Sequence, residues 1–217
     1  ETTLIAREKR KTYNLFKDFD FCPQIYQSPF IDITYPVFLK PNIGQGAKGT
    51  YLVNSKEDLL TKLKTEEDLL VCEYLPGKEL SVDCFTDRSG QLLFVGPRVR
   101  ERIQIGISFN TFSTPLSEEV NSIAERLNRQ LTLRGAWFFQ LKQDSDGRYK
   151  LMEFAARQSS TMALYRQLGV NFALLSIFDA LNKDVKIIKN DLTISLDRCL
   201  YNRFKIDIEY SCVYIDF

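Results

Sequence analysis

Lys40 closes a β-patterned run that begins at Tyr35, and after Pro41 it is followed by Gly44-x-Gly46-x-x-Gly49. A strand lysine supplies a fixed positive charge, and glycines let backbone N–H groups come close to phosphate oxygens. Together they suit a nucleotide polyphosphate. The glycine spacing is that of the dinucleotide fingerprint, but that motif needs a helix next, whereas Thr50-Tyr-Leu-Val53 is β-favouring. A P-loop is excluded because no Lys-Ser or Lys-Thr pair follows the last glycine. A protein-kinase loop is excluded because there the glycines precede the lysine. What remains is strand, lysine, glycine-rich flap, strand, beside the plainer reading of a hairpin turn with a surface lysine.

A second constellation lies around Asp146-Gly147, which marks a turn between two strand-like runs, Ala136 to Lys142 and Tyr149 to Ala155. Symmetric closure of that hairpin sets Gln140 across from Glu153, and cross-strand Cβ atoms on one face are about 5 Å apart. One hard cation can bridge two such oxygens, and Mg²⁺ normally takes one or two protein ligands plus phosphate oxygens. Ala155 and Arg157 project to the same face by the two-residue alternation. The bland alternative is a strand pair with a solvated polar face.

Other elements must hold these residues in place. The apolar spacing of Leu4, Thr12, Leu15, Phe16 and Phe19 predicts one opening helix rich in Lys and Arg. Ser55-x-x-Asp58 predicts a capped helix start, and Leu69 to Tyr74 a strand that ends at Pro76-Gly77. Leu80 to Thr86 and Gln91 to Val95 flank Asp87-Arg-Ser-Gly90 as a hairpin. Val120, Ile123, Ala124, Leu127 and Leu131 predict an amphipathic helix from Ser117, and Thr161 to Leu181 a final long helix. Hairpins mix with helices without βαβ alternation, so the class expected is α+β.

Composition narrows the chemistry. The 217 residues are 44% apolar and 26% charged, and 29 Lys+Arg against 28 Asp+Glu leave a net charge of +1. That balance argues against a chain built to hold nucleic acid or an acidic membrane face. There is no histidine, so Ser-His-Asp and Cys-His nucleophiles, His-ligated zinc and an imidazole base are excluded within this chain. Five cysteines without a C-x-x-C pair read as reduced thiols, and no apolar run nears the roughly 18 residues of a membrane span. The expectation is a soluble, cytoplasmic protein. The start at Glu1 and the strand-like end Ser211 to Phe217 read as a segment of a longer protein, or equally as a natural terminal strand.

These residues together carry a family resemblance. Tyr35-Pro-Val-Phe-Leu-Lys40-Pro41 with Gly44 to Gly49, then Glu73-Tyr-Leu-Pro-Gly77-Lys-Glu79, then Gln140 and Glu153-Phe-Ala-Ala-Arg157, resemble the ATP-grasp superfamily in order and spacing. Gln140 as first metal position, with Glu153-x-x-x-Arg157-x-Ser159-Ser160 and Gly169, is most similar to the carbamoyl phosphate synthase large-subunit branch. The match runs from about Glu8 to Leu181. It implies an ATP-grasp fold of two α+β subdomains clamping ATP: residues 1–75 with the flap, residues 76–205 with the metal site, and 206–217 as the start of a further, truncated domain.

By that resemblance Lys9 and Lys40 bind phosphates, Gly44, Gly46 and Gly49 form the flap, Glu73, Tyr74 and Leu75 read adenine, and Glu79 holds the ribose. Gln140 and Glu153 hold one or two Mg²⁺ ions, and Arg157, with Lys40, serves phosphoryl transfer. Arg98, Arg100 and Arg102, with Gly106 to Ser108, fall on the acceptor side, where they would hold an anionic substrate. The family usually has Asn two residues after the metal-binding Glu; this chain has Ala155. The resemblance implies an ATP-dependent ligase that activates a carboxylate or bicarbonate for attack by an amine. The alternative is an ATP-binding regulatory module with weakened turnover. The family resemblance further implies small-molecule partners and a fused N-terminal α/β domain, and no nucleic acid or membrane partner is expected from the composition. Val213-Tyr-Ile-Asp216-Phe217 resembles the first strand of a haloacid-dehalogenase-type phosphatase, as the start of a fused C-terminal domain.

Overall fold

The computed structural model describes residues 1–187 except 45 and 105, together with the strands at 194–198 and 204–208. Its elements in chain order are helices α1 (Thr2–Arg7) and α2 (Lys9–Phe16), strands β1 (Ile25–Tyr26), β2 (Val37–Pro41) and β3 (Tyr51–Val53), helix α3 (Lys56–Thr65), and strand β4 (Leu69–Glu73). There follow β5 (Glu79–Thr86), β6 (Leu92–Gln104), β7 (Ile107–Ser113), helix α4 (Glu118–Gln130), β8 (Gly135–Gln143) and β9 (Tyr149–Ala155). Helices α5 (Leu164–Gln167) and α6 (Phe172–Ala180) precede β10 (Ile194–Arg198) and β11 (Phe204–Ile208). The chain packs as two units, each built from α and β elements. One holds Glu1–Glu79, Ile105–Ile107 and Phe139–Ala156, the other Leu80–Gln104, Ser108–Phe138 and Arg157–Phe217.

In the first unit a four-stranded sheet runs β1-β4-β2-β3, with β2 antiparallel to both neighbours and Lys40 opposite Leu70. Strand alternation divides its side chains between two faces. Val37, Leu39, Val53 and Val71 pack with Leu59 of α3 on one face; Leu70 and Cys72 pack with Tyr13 of α2 on the other. Two steps along β2 from Phe38, Lys40 falls on the α2 face. Helix α3 starts as the sequence predicts, the Ser55 side chain accepting from the Asp58 N–H.

The opening helix is two helices. Glu8 is extended (φ −108°, ψ 105°), and α2 restarts because its first N–H groups go elsewhere: Lys9 N–H to the Asn42 carbonyl at 3.0 Å and Arg10 N–H to Asn42 Oδ1 at 2.9 Å. The final long helix is also divided. Gly169 takes φ +91°, Val170 N–H bonds the Tyr165 carbonyl, and Asn171 caps α6 through the Leu174 N–H. That is a Schellman end followed by a fresh start.

The second sheet has strand order β11-β10-β7-β6-β5-β8-β9, and the unit boundary cuts β8 between Phe138 and Phe139. Helix α4 begins at the predicted Ser117 cap and buries Val120, Ile123, Ala124 and Leu127 in the second unit. Strand β6 is longer than the sequence suggested, running through the arginines to Gln104, and β7 went unforeseen. Arg98 explains the extension. It is 1% exposed, and its Nε and Nη2 reach the two oxygens of Asp83 at 2.7 and 3.2 Å while Nη2 also donates to Ser159 Oγ at 2.8 Å. The strand-like end at 211–217 lies outside the described residues. Among the described residues no helix is long and apolar enough to cross a membrane.

Candidate functional site

Lys9, Lys40, the glycine loop, Glu73, Tyr74, Leu75, Glu79, Gln140 and Glu153 all belong to the first unit, and Arg157 to the second. Lys9 opens α2 and its Nζ lies 3.4 Å from the Gly44 carbonyl, so helix and flap meet. Burial lowers the Lys9 pKa; Glu153 pulls it up and the like charge of Lys40 pushes it down further. Lys40 is 7% exposed, with Nζ hydrogen-bonded to Tyr13 Oη and 4.7 Å from the centre of that ring. Burial works against its ammonium, but the contacts with Tyr13 outweigh this, helped by Glu153, and the pKa stands above the ordinary lysine value. Two buried or half-buried ammoniums with one carboxylate leave an excess of positive charge that a polyphosphate would match.

The flap needs its glycines. Gly46 and Gly49 have φ +66° and +68°, and a Cβ on Gly49 would stand 3.0 Å from Pro41 Cγ. Gly106, between β6 and β7, has φ +70° and lies so close to the flap tip that a Cβ would sit 2.7 Å from Gly46 Cα and 2.9 Å from Ala47 N. Gly106→Ala is therefore expected to cost about 1–3 kcal/mol of folding stability through the positive φ alone. The contact with Gly46 should also displace the flap and weaken nucleotide affinity. Urea unfolding and a nucleotide titration of the same variant check both; unchanged values would remove the flap contact from consideration.

The adenine and ribose candidates sit where β4 leaves the sheet. Glu73 and Gln24 exchange bonds, Glu73 N–H to the Gln24 carbonyl at 2.9 Å and Gln24 N–H to Glu73 Oε1 at 2.8 Å. Leu75 is buried, and Gly77 N–H bonds the Gln143 carbonyl, which fixes the segment after β4 to the end of β8. Gly77 has to be glycine, since a Cβ would come 2.5 Å from that of Gln143. Glu79 Oε2 lies 4.0 Å from Lys142 Nζ.

Gln140 on β8 and Glu153 on β9 are both half-buried. The turn between their strands is not the symmetric one assumed from the sequence. Gly147 N–H donates to the Asp144 carbonyl and Asp144 N–H to the Arg148 carbonyl, with Gly147 at φ +82°. This is a type I turn with a glycine bulge, which sets Asp144 opposite Arg148, one residue out from symmetric closure. Among the described residues no three carboxylates or thiols gather as a metal cluster. The observed register sets Gln140 opposite Met152 rather than Glu153, so the pairing expected from symmetric closure is not the one the turn gives. A hard cation held by either residue would take the rest of its shell from phosphate and water. Ala155, the last residue of β9, offers no ligand.

Arg157 is exposed, 5.1 Å from the centre of the Phe138 ring, and its Nη1 donates to the Gln158 carbonyl. Among the acceptor-side arginines Arg98 is already matched by Asp83, Arg100 is buried, and Arg102 is exposed beside the Phe109 ring. The sequence reading missed Tyr13 and Asn42. Tyr13 stands four residues after Lys9, a one-turn spacing that does bring two side chains to one helix face.

A family model described as ATP-grasp in the biosynthetic pathway with Ter operon matches residues 65–197, more than half of the chain. The arginine-specific large chain of carbamoyl phosphate synthase from Bacillus subtilis is 28% identical over 145 residues, which cover 60% of this chain and 14% of that one. A biotin carboxylase from Campylobacter jejuni, solved as a β-γ-ATP complex, superposes with TM-score 0.76 at 18% identity, covering 90% of this chain and 51% of that one. N5-carboxyaminoimidazole synthetase from Staphylococcus aureus, solved with ADP, gives TM-score 0.75 at 18% identity over 90% and 57%. The chain thus spans about one-seventh of the curated relative and about half of the solved chains.

Proposed function

The chain belongs to the ATP-grasp family, and from that premise we propose that it binds Mg-ATP and activates a carboxylate or bicarbonate as an acyl phosphate for capture by an amine. The observation that carries the reading is the convergence in one unit of the Lys9 and Lys40 ammoniums with the Glu153 carboxylate beside a glycine flap. In the proposed reaction a carboxylate oxygen attacks the γ-phosphorus and the bond to the β-phosphate oxygen breaks, releasing ADP. An amine then attacks the acyl carbon and phosphate leaves. Such transfer depends on positioning and on charge rather than on an imidazole.

Lys40, fixed by Tyr13, and Lys9, held against Gly44, would meet the phosphate charge. The N–H groups of the glycine loop would close over it, and Glu73 to Leu75 with Glu79 would take the nucleoside. Gln140 and Glu153 would present oxygens to Mg²⁺, one or two ions, whose role when bound is to neutralise charge between the phosphates. Arg157 would steady the transferred group. Three described cysteines, Cys22, Cys72 and Cys84, are free thiols, which suits a cytoplasmic setting. A fused N-terminal α/β domain and a C-terminal phosphatase-like domain in the parent chain belong to the same proposal.

Ala155 supports a second reading, an ATP-binding regulatory module with weakened turnover. ADP release from Mg-ATP across a panel of carboxylates and amines separates the two. Stimulation by one carboxylate and amine pair is the expected result. Retained ATP binding with no stimulation across the panel would favour the module. Ala155→Asn adds an oxygen at the end of β9 and is expected to raise Mg²⁺ affinity by about tenfold, read by titrating the metal against ADP release.

A further inference from the structure

Tyr13 is a buried phenol, 3% exposed, on the face of α2 that packs against β2 and β4. Its oxygen has two partners on two other elements. It accepts from Lys40 Nζ on β2, and it donates to the Met152 carbonyl on β9 at 2.6 Å. Met152 immediately precedes Glu153. One hydroxyl therefore links the helix that begins with Lys9, the strand that ends near Lys40 and the strand that carries Glu153, the three residues that share the site's charge.

We propose that Tyr13 is a positioning residue for nucleotide binding: its hydroxyl holds the Lys40 ammonium in one place and ties that place to the backbone beside Glu153. The inference rests on the reading of Lys40 as a phosphate-binding lysine. A lysine on a four-carbon stem has many rotamers, and fixing it before the ligand arrives removes an ordering cost from binding. The direction of the bonds is set by chemistry. An ammonium only donates and a carbonyl only accepts, so a neutral hydroxyl between them accepts one bond and gives one. Burial pushes the Tyr13 phenol up to about 12, so that the hydroxyl keeps its proton at neutral pH. Phenylalanine would fill the same space and keep the ring under the ammonium, but it would leave Lys40 and Met152 without this partner.

The test is a double-mutant cycle of Tyr13→Phe with Lys40→Met, read as the dissociation constant of AMP-PNP in the presence of Mg²⁺ and as the melting temperature without nucleotide. Tyr13→Phe is expected to weaken AMP-PNP binding by about tenfold, and to have no further effect in the Lys40→Met background. Equal losses in both backgrounds would overturn the inference, because Tyr13 would then act independently of Lys40. If Lys40→Met itself leaves the affinity unchanged, the phosphate reading of Lys40 fails and takes the inference with it. That outcome is distinct from additivity. Tyr13→4-aminophenylalanine covers the case in which Tyr13→Phe does not fold. Its amine still donates to Met152 but is a poor acceptor for an ammonium. It should keep the melting temperature and lose nucleotide affinity, whereas wild-type affinity would sink the proposal.

Discussion

Glu153→Ala is expected to lower Mg-dependent ADP release on the order of 10³-fold while the protein stays folded. The size follows from what the side chain does in the proposed site. Among the described residues Glu153 is the carboxylate that acts on both Lys9 and Lys40, and it stands on β9, one residue from the carbonyl that Tyr13 holds. Its loss would remove an anionic ligand from the metal and leave two like charges facing each other, so the second ammonium would be harder to keep. Glu153 is half-buried rather than enclosed, which limits the effect on the fold. The measurement is ADP release against Mg²⁺ concentration, with EDTA as the blank. EDTA should abolish release by the parent protein and change the variant little. A variant with full turnover at ordinary Mg²⁺ would remove Glu153 from the metal site.

Asp83→Ala is expected to produce the largest loss of stability, about 3–5 kcal/mol. Asp83 is fully buried and holds Arg98 by two bonds, and Ser159 Oγ donates to Asp83 Oδ1 at 3.0 Å while accepting from Arg98. Removing the carboxylate leaves a guanidinium in a space that water does not reach. One of its nitrogens, Nη1, has no hydrogen-bond partner even with Asp83 present. Replacing both charges, Asp83→Leu with Arg98→Met, should recover much of the loss, because a buried pair resists the removal of one member far more than of both. Urea midpoints of the single and double variants test this. A single variant as stable as the parent would show that water enters beside Arg98.

Local signals in the sequence carried much of the fold. Ser55 and Ser117 each cap a helix where the pattern placed one, and the hairpin around Asp87 to Gly90 closes with Asp87 N–H on the Gln91 carbonyl. Each depends on neighbours within a few positions. The misreadings depend on distant ones. The opening helix breaks at Glu8 because Asn42, more than thirty residues on, takes the first amides of α2. The arginine run was expected to hold an anionic substrate, and nothing near Arg98 in the chain announces Asp83 as its partner. The register at Asp144 slipped by one because the turn type depends on Gly147 adopting a positive φ. For the candidate site, Lys40, the glycines and Glu153 stood out by residue type and order, while Lys9 entered through the family resemblance alone. Tyr13 did not stand out, since its role arises from a carbonyl 139 positions away.

That separation has a consequence for how the protein is made. Tyr13 and Lys40 leave the ribosome well before the strand that completes their arrangement, which arrives only with residues 149–155. Strands β1 to β4 can pair as soon as they emerge. The relay to Met152 must instead close a chain segment of more than a hundred residues, whose entropy cost is met only after residues 80–104 and 108–138 of the second unit have been synthesised. Assembly of Lys9, Lys40 and Glu153 is therefore a late event in folding. A nascent chain stalled before β9 carries both lysines and the flap without the carboxylate that balances them.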